Sequence, residues 1–390
     1  MDKGVTMQTV QAILGDAADA GVTFAPLIAM KPDLVFAFGP SESLCNLAPA
    51  LTEYFPGIRR IGCSSAFAIS SAGLEQSNCV VTAVRFDASS IIEASVRLAS
   101  KEGSFDAGKR LGASLPRDGL RAVLLLGQGV KIRGSALLAG INEALETVVP
   151  VVGGLASRKE GYYQTWVLDE SGCGSETIVA LGLYGNSLRF GFGVHGGWSP
   201  FGPARKVTRC EGNVLYELDG EPALDVYRRY LGDYARDLPT VGHFFPFAML
   251  DGNHEEIGLI RSMLAVDEKT GGLRFGDEVI PDSYLRMMHA NTDKLVGGVE
   301  TAAETARRMI GGGDSYHGLI FMVSCVGREL VMGERVEEEI EVAAEVFGGE
   351  VPIAGFYSFG EISPTGEDAA CKLHNQTVMV AYIDEIFDKG

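Results

Sequence analysis

The sequence predicts an α/β protein with mixed sheets and packed helices, built from internally repeated strand-helix-strand-strand units. Three observations predict this fold class. An apolar strand ending in a small residue occurs three times, an amphipathic helix follows each copy, and each helix leads to a short strand that closes on small side chains. The first strands of the copies are Leu34 to Gly39, Ala122 to Gly127 and Leu319 to Ser324.

One-sided apolar spacing predicts the helix of each copy. The apolar positions fall between 44 and 55 in the first copy, 137 and 148 in the second, and 336 and 347 in the third. In the first copy Pro49 is expected to kink or delay the helix. Helices with a single apolar stripe are expected to cover one face of a sheet.

The second strands and the chain that follows them predict the sheets. The closing strands are 60–65, 151–154 and 351–355, and the chain then returns as further apolar runs at 79–86, 177–183 and 377–383. A crossover helix joins parallel neighbours, so these patterns indicate mixed sheets. Laid without gaps, 62–70 matches 355–363 at its Gly, one Ser and the closing Ile-Ser, which indicates duplication. Sheets with glycine-lined strand ends are expected to form ligand-binding crevices.

Chain length predicts two domains, because 390 residues exceed what one core usually fills. The segment from Gly185 to Pro203 contains six glycines and two prolines, a density that breaks regular structure. We therefore expect a domain boundary or a crevice-lining loop there. The predicted domains are 1–190, with two repeat units, and 191–390, with one clear unit and a diverged part.

Composition excludes several classes of protein. The net charge of −18 argues against nucleic-acid binding, which needs a concentrated positive surface. Seven widely spaced cysteines fit reduced thiols better than a disulfide framework. The first thirty residues show no secretion signal, and the apolar stretches are too short for a bilayer. We therefore expect a cytoplasmic protein without membrane contact.

Several stretches together resemble the FIST domain, a two-part sensory module with an N-terminal and a C-terminal half. The N-terminal resemblance lies in 32–38 and in 55–65, whose Gly-Cys-Ser-Ser turn is similar to a turn of that family. The C-terminal resemblance lies in 197–203, 208–223, 355–362 and 374–377. Where the N-terminal turn commonly continues Gly-Glu-Ile, this chain has Phe67-Ala68-Ile69, and the carboxylate occurs only at Glu361.

The resemblance implies a sensor without enzymatic activity. Its ligand would bind between the two halves, and the protein would regulate a separate partner in trans, such as a histidine kinase. Similarity to bacterial FIST proteins that sense nitric oxide implies haem as the first specific ligand hypothesis. An amino acid or another metabolite is the alternative ligand.

The candidate site residues come from these motifs. A haem sensor needs an axial donor, and His195 has flanking glycines and Trp198 nearby, with His289 and His374 as rivals. The strand-end turns add hydroxyls and backbone amides that are free to face a ligand. The predicted ligand-binding residues are Cys63, Ser64, Ser65, His195, Trp198, Tyr357, Glu361, His374 and Asn375.

No motif gives positive evidence for catalysis, and neither HExxH nor an EF-hand loop occurs. The prediction is therefore that the protein is not an enzyme. The alternative is an enzyme on an amino-acid-like substrate, with Cys63 or Ser64 as nucleophile and Glu361 or His374 as acid or base. A third interpretation is an interaction scaffold without a ligand.

Overall fold

The computed structural model describes residues 7–15, 17–146, 149–159, 163–311, 316–365 and 370–386. Positions 1 and 390 of the predicted domains, and position 148 of the second predicted helix, lie outside these ranges. The backbone of the described residues forms three similar units and one large insertion.

The first unit begins with a strand and two short helices, and continues as strand, helix and four strands. Its long helix starts at Ser41 and includes Pro49, so proline does not delay the helix. The elements are β1 (Gln8–Leu14), α1 (Ala20–Thr23), α2 (Ala25–Ala29), β2 (Leu34–Gly39), α3 (Ser41–Tyr54), β3 (Arg59–Ser64), β4 (Ala68–Ser70), β5 (Gly73–Glu75) and β6 (Cys79–Arg85).

The second unit repeats this order. Its helix α5 ends at Leu145, where Glu146 adopts the left-handed conformation. The elements are β7 (Ser90–Arg97), α4 (Ser104–Ala113), β8 (Leu120–Gly127), α5 (Gly134–Leu145), β9 (Val151–Leu155), β10 (Val167–Asp169), β11 (Gly172–Gly174) and β12 (Thr177–Tyr184).

The third unit begins with β13 (Leu188–His195) and is then interrupted by an insertion, which we call the inserted sheet. One helix begins directly after Pro222. The elements are β14 (Ser199–Pro200), β15 (Arg205–Glu211), β16 (Val214–Leu218), β17 (Glu221–Pro222), α6 (Ala223–Leu231), β18 (Phe247–Leu250), β19 (Glu256–Arg261), β20 (Met263–Asp267), β21 (Gly272–Phe275) and β22 (Tyr284–His289).

After the insertion the third unit resumes with its helices and remaining strands. Across all units and the insertion, short 3-10 helices lie at Ala17–Asp19, Lys101–Gly103, Gly232–Asp237, Thr240–His243 and Gly333–Arg335. The elements of the unit are α7 (Thr292–Met309), β23 (Leu319–Cys325), α8 (Val326–Met332), α9 (Glu338–Val346), β24 (Ile353–Ser358), β25 (Gly360–Pro364), β26 (Cys371–His374) and β27 (Val378–Glu385).

The three units have the same sheet topology, which confirms the predicted mixed sheets and repeats. The strand orders are β1-β6-β2-β3-β10-β11, β7-β12-β8-β9-β25-β26 and β13-β27-β23-β24-β4-β5. Each sheet contains one parallel pair, whose two strands are joined by a crossover helix. The first strand of that pair also has an antiparallel neighbour on its other side.

Each unit gives its last hairpin to the sheet of another unit, which closes the three units into a ring. The hairpin β4-β5 pairs with β24, β10-β11 pairs with β3, and β25-β26 pairs with β9. Equivalent registers repeat around the ring: Ile69 lies opposite Gly355, Leu168 opposite Gly62, and Ile362 opposite Gly153.

Apolar side chains from all three sheets fill the centre of the ring. Phe38 stacks on Phe356 with ring centroids 4.9 Å apart, and Phe36 stacks on Phe321 at 5.6 Å. The outer faces are covered by helices, α3 on the first sheet, α4 and α5 on the second, and α7 and α9 on the third. The ring centre is therefore a packed core, and the cavities lie at the strand ends.

The glycine-rich segment 185–203 is partly regular structure, contrary to the expectation that its composition breaks it. Residues 188–195 form β13, which pairs with β27 along its whole length. A side chain at Gly191 or Gly193 would clash with the carbonyl oxygens of Ala306 and Ala302 in α7. These glycines permit close packing of a helix on a strand.

Candidate functional site

One cavity lies between the ring and the inserted sheet and is lined by buried polar atoms; it is here called the junction cavity. Its volume is ≈ 70 Å³. The ring contributes the ends of β8, β23 and β24 and the turn before β27, and the inserted sheet contributes the other wall. The lining residues are Gly129, His243, Ser262, Leu264, Gly276, Cys325, Val326, Gly327, Phe359 and Asn375.

Three side chains of this lining carry buried polar atoms that have no hydrogen-bond partner among the described residues. They are the Oδ1 of Asn375, the Oγ of Ser262 and the Nδ1 of His243. Asn375 is 3% exposed and Ser262 is 4% exposed, whereas His243 is half-buried. Native proteins pair nearly all such groups, so these atoms make the junction cavity the candidate binding site.

Hydrogen bonds fix the direction of the amide groups at the turn before β27. The Asn375 Nδ2 donates to the carbonyl oxygen of Phe359 at 3.4 Å, which leaves Oδ1 directed elsewhere. The neighbouring Gln376 Nε2 donates to the carbonyl oxygen of His243 at 3.2 Å. Gln376 therefore ties the ring to the segment that carries His243.

A buried ion pair holds the inserted sheet on the second unit. The Arg261 Nη2 contacts the Asp277 Oδ2 at 3.2 Å, and Arg261 also donates to the carbonyl oxygen of Leu373 on β26. Asp277 accepts a hydrogen bond from Ser135 in α5 as well. These contacts position Ser262, the residue after Arg261, against the ring.

Behind the ring wall of the junction cavity lies a carboxyl group, Glu361. It accepts hydrogen bonds from the Ser358 Oγ at 2.6 Å and the Thr377 Oγ1 at 2.8 Å. Burial raises the pKa of Glu361 to about 7, although these hydrogen bonds favour the charged form. Burial, followed by the nearby charge of Glu361, raises the pKa of the Cys325 thiol.

A second cavity, here called the lateral cavity, brings three predicted site residues together. Its volume is ≈ 250 Å³, and it lies between β13, the β25-β26 hairpin and the inserted sheet. His195, Trp198 and His374 all line it. The Trp198 Nε1 donates to the carbonyl oxygen of Gln376 at 2.7 Å, so this indole has a structural hydrogen bond.

The three candidate histidines differ in what their nitrogens contact. Both ring nitrogens of the buried His374 face carbonyl oxygens, Nδ1 that of Gly258 at 3.2 Å and Nε2 that of Ser363 at 3.0 Å. Burial lowers the pKa of His374 to about 4, although the carbonyl contacts favour the charged form. The exposed His195 accepts a hydrogen bond at Nδ1 from the Gly197 amide. His289 is exposed, and its ring packs edge-on against Phe201.

The lining of the lateral cavity around His195 is mixed in polarity. Its apolar residues are Val194, Trp198, Ile260 and Met288, and its polar residues are Glu256, Thr365, Thr377 and His374, whereas a porphyrin needs an apolar slot beside its axial ligand. His374 itself offers no nitrogen free of protein contacts. The described residues also contain no group of three or more His, Cys, Asp or Glu side chains arranged to hold a metal ion.

The predicted residues at the β3 turn lie where the three units meet. Cys63 belongs to the central core, and burial raises the pKa of its thiol well above the ordinary value. The Ser64 Oγ donates to the Ser157 carbonyl oxygen at 2.9 Å, and the Ser65 Oγ accepts from the Tyr357 amide at 3.0 Å. Among the described histidines, none hydrogen-bonds Cys63 or Ser64.

Sequence reasoning identified Asn375 but missed His243, Ser262 and Cys325 as cavity residues. His243 lies in a loop next to a Phe-Phe-Pro run, and Ser262 lies between two apolar strands, so neither carries a local motif. Phe359 lies inside the stretch 355–362, which resembles the family, as Asn375 lies inside the stretch 374–377.

The comparison with protein families gives two matches in chain order. A FIST N domain matches residues 33–221, and a FIST C domain matches residues 223–364. Among the described helices, none is long and apolar enough to span a membrane.

Curated relatives come from an archaeon and from mycobacteria. An uncharacterized protein of Methanocaldococcus jannaschii is 28% identical over 214 residues, which are 50% of this chain and 39% of that protein. An uncharacterized protein of Mycobacterium tuberculosis is 27% identical over 249 residues, which are 61% of this chain and 63% of that protein. The chain thus spans less than two thirds of the length of these relatives.

Solved structures show only distant similarity. A cyanuric acid hydrolase from A. caulinodans superposes with a TM-score of 0.42 and 9% identity, covering 98% of this chain and 99% of that chain. A PurLQS structure from Thermotoga maritima gives a TM-score of 0.22 and 12% identity, covering 98% and 74%. Neither similarity carries a functional conclusion for this chain.

Proposed function

The chain belongs to the FIST family, whose domains are ligand-binding domains associated with signal transduction, and from this premise we propose that it is a small-molecule sensor that binds its ligand in the junction cavity. The observation that carries this proposal is the set of buried polar atoms without partners on Asn375, Ser262 and His243. A buried polar group left unpaired costs about 1–3 kcal/mol. A polar ligand that pairs with these atoms recovers this free energy.

The position of the junction cavity supports a sensing role. Asn375 belongs to the ring, while Ser262 and His243 belong to the inserted sheet, so one ligand contacts both layers. A ligand that binds one arrangement of the two layers better than another shifts their equilibrium, with a typical coupling of about 1–3 kcal/mol. We further propose that a separate signalling protein, such as a histidine kinase, reads this shift.

The proposed ligand is a metabolite rather than haem, and the proposed role is not enzymatic. Glu256, Thr365, Thr377 and His374 place polar groups beside His195, which disfavours a porphyrin there, and the buried Cys63 thiol is poorly suited to become a thiolate. The cavity polar atoms instead suit reversible hydrogen bonding.

A thermal-stability screen against a metabolite library tests the proposed function. A ligand that binds only the folded protein raises its stability by about 2.7 kcal/mol at one hundred times Kd. We expect at least one metabolite to raise the Tm of the parent protein and to lose this effect with Asn375→Ala. The exposed Asn186→Ala is the matched control and should keep the full shift.

Two results contradict the proposal. One is a library in which no compound changes the Tm. The other is a compound whose effect is the same in the parent protein and in Asn375→Ala, because binding then occurs elsewhere. Ser262→Ala provides a second variant in case Asn375→Ala does not fold.

A further inference from the structure

The lining of the junction cavity contains no Asp, Glu, Lys or Arg side chain. Its residues are glycines, apolar residues, one Cys, one Ser, one Asn and His243. Burial lowers the pKa of His243. An ion that enters such a site loses its hydration without gaining a counter-ion, which is strongly unfavourable.

The charged groups nearest in sequence to the lining are already paired with other partners. Arg261 binds Asp277, and Arg328 binds Glu339 and the carbonyl oxygen of Leu295. Neither guanidinium is available to a ligand carboxylate. Glu361 lies close enough to Cys325 to influence its thiol, so the ionised form of Glu361 opposes an anion bound in the cavity.

The unpaired atoms of the cavity set the hydrogen-bonding pattern of the ligand. The Oδ1 of Asn375 only accepts hydrogen bonds, and its amide nitrogen already donates to Phe359. The Ser262 hydroxyl and the His243 imidazole can each donate or accept. A matching ligand therefore needs an N–H or O–H donor for Asn375, and it gains from having an acceptor beside that donor.

The walls next to these atoms consist of glycines and apolar side chains. Gly276 packs against the Asn375 amide, and Gly327 lies on the opposite ring segment, so neither position has a side chain that fills the space. Phe359 and Leu264 provide apolar surface beside the polar atoms. This combination suits a compact, flat group.

We propose that the junction cavity binds a small uncharged molecule whose N–H donor and adjacent carbonyl acceptor belong to a carboxamide, lactam or ureido group. This inference rests on the proposed function, because it names the ligand class of the same site. It excludes zwitterionic amino acids, whose charges find no partners in the lining.

Matched probe pairs measured by calorimetry and thermal shift test the ligand class. The planar pair is nicotinamide and nicotinate, and the compact pair is acetamide and acetate, with glycine and alanine as zwitterions. We expect each amide to bind at least ten-fold more tightly than its carboxylate. N,N-dimethylnicotinamide, which lacks the N–H donor, should bind at least ten-fold more weakly than nicotinamide.

Variants assign the binding to this cavity. Ser262→Ala should weaken nicotinamide binding by roughly three- to ten-fold, as expected for one lost hydrogen bond, and Asn375→Ala should weaken it further. Asn186→Ala should have no effect. Circular dichroism establishes that each variant is folded before its affinity is measured.

The outcomes separate this inference from the proposed function. If a carboxylate or zwitterionic probe binds more tightly than the amides and depends on Asn375, the ligand class is wrong and the sensor proposal stands. If the amides fail while another library compound shows Asn375-dependent binding, the ligand class is again wrong. If no compound shows Asn375-dependent binding, both proposals fail.

Discussion

Arg328 and Glu339 form a fully buried ion pair beneath the point where the inserted sheet leaves and rejoins the third unit. The Arg328 Nε donates to the Glu339 Oε1 at 2.7 Å, and both side chains have zero exposure. Arg328 also donates to the carbonyl oxygens of Gly196, before the insertion, and Leu295, after it. The pair therefore fastens both ends of the insertion to the ring.

Removing one partner of this pair should strongly destabilise the protein. Arg328→Met leaves Glu339 buried without its counter-ion, and such losses cost about 3–5 kcal/mol. Chemical denaturation of the parent and variant proteins measures the change. The surface pair of Arg335 and Glu338 is the control, and Arg335→Met should lower the free energy of unfolding far less than Arg328→Met does. Equal losses in both variants would show that burial of the first pair is unimportant.

Tyr357 should behave as a structural residue rather than as a ligand contact. Its hydroxyl donates to the Glu339 Oε2 at 2.6 Å, and the side chain is fully buried. Tyr357→Phe should reduce the free energy of unfolding by about 1–3 kcal/mol, as expected for a lost hydrogen bond to a charged group. Nicotinamide affinity, or that of any Asn375-dependent ligand, should not change. A large affinity loss with unchanged stability would place Tyr357 in the binding site.

The packing of α7 on β13 predicts opposite effects at two glycines. Gly191→Ala introduces a methyl group against the Ala306 carbonyl oxygen and should cost about 1–3 kcal/mol. Gly297, inside α7, has no atom within 4 Å of an added Cβ, so Gly297→Ala should stabilise by about 0.5–1 kcal/mol. Thermal denaturation compares the two variants. A stabilising effect of Gly191→Ala would contradict the close packing.

The repeats and the mixed sheets could be predicted because apolar periodicity is local in sequence. The runs 34–39, 122–127 and 319–324 correspond to β2, β8 and β23, and the returning runs to β6, β12 and β27. The exchange of hairpins could not be predicted. The pairing of Ile69 with Gly355 joins residues 286 positions apart, and the sequence offers no register for it.

The candidate site was predictable only in part, for a similar reason. Asn375 follows a strand in a stretch that resembles the family, whereas Ser262 and His243 reach the cavity through the packing of the inserted sheet on the ring. The serines of the β3 turn have hydroxyls at a strand end, as expected. Their partners are the carbonyl oxygens and amides of the other units, which the sequence alone does not reveal.

Haem addition should leave the protein spectroscopically unchanged. The His195 Nδ1 already accepts a hydrogen bond, and polar groups line the space beside the ring. Titration of hemin should give the Soret band of free hemin, in the parent protein and in His195→Ala alike. A shifted band that responds to nitric oxide and disappears in His195→Ala would establish the haem sensor after all.

Glu361 should make stability depend on pH near neutrality. Burial raises its pKa from the ordinary 4.5 to about 7, so between these values the folded state binds more protons than the unfolded state. The free energy of unfolding contributed by this group is fully present below pH 4.5 and is lost as the pH rises towards 7, with a limiting slope of about 1.4 kcal/mol per pH unit.

Glu361→Gln isolates this contribution, because glutamine keeps the uncharged hydrogen-bonding shape and does not titrate. The difference in free energy of unfolding between parent and variant should change between pH 4.5 and 7 and then level off. Glu93, whose pKa burial also raises to about 7, affects both proteins equally and cancels in the difference. A difference that is constant across this range would mean that Glu361 stays ionised in the folded protein and that its hydrogen bonds outweigh burial.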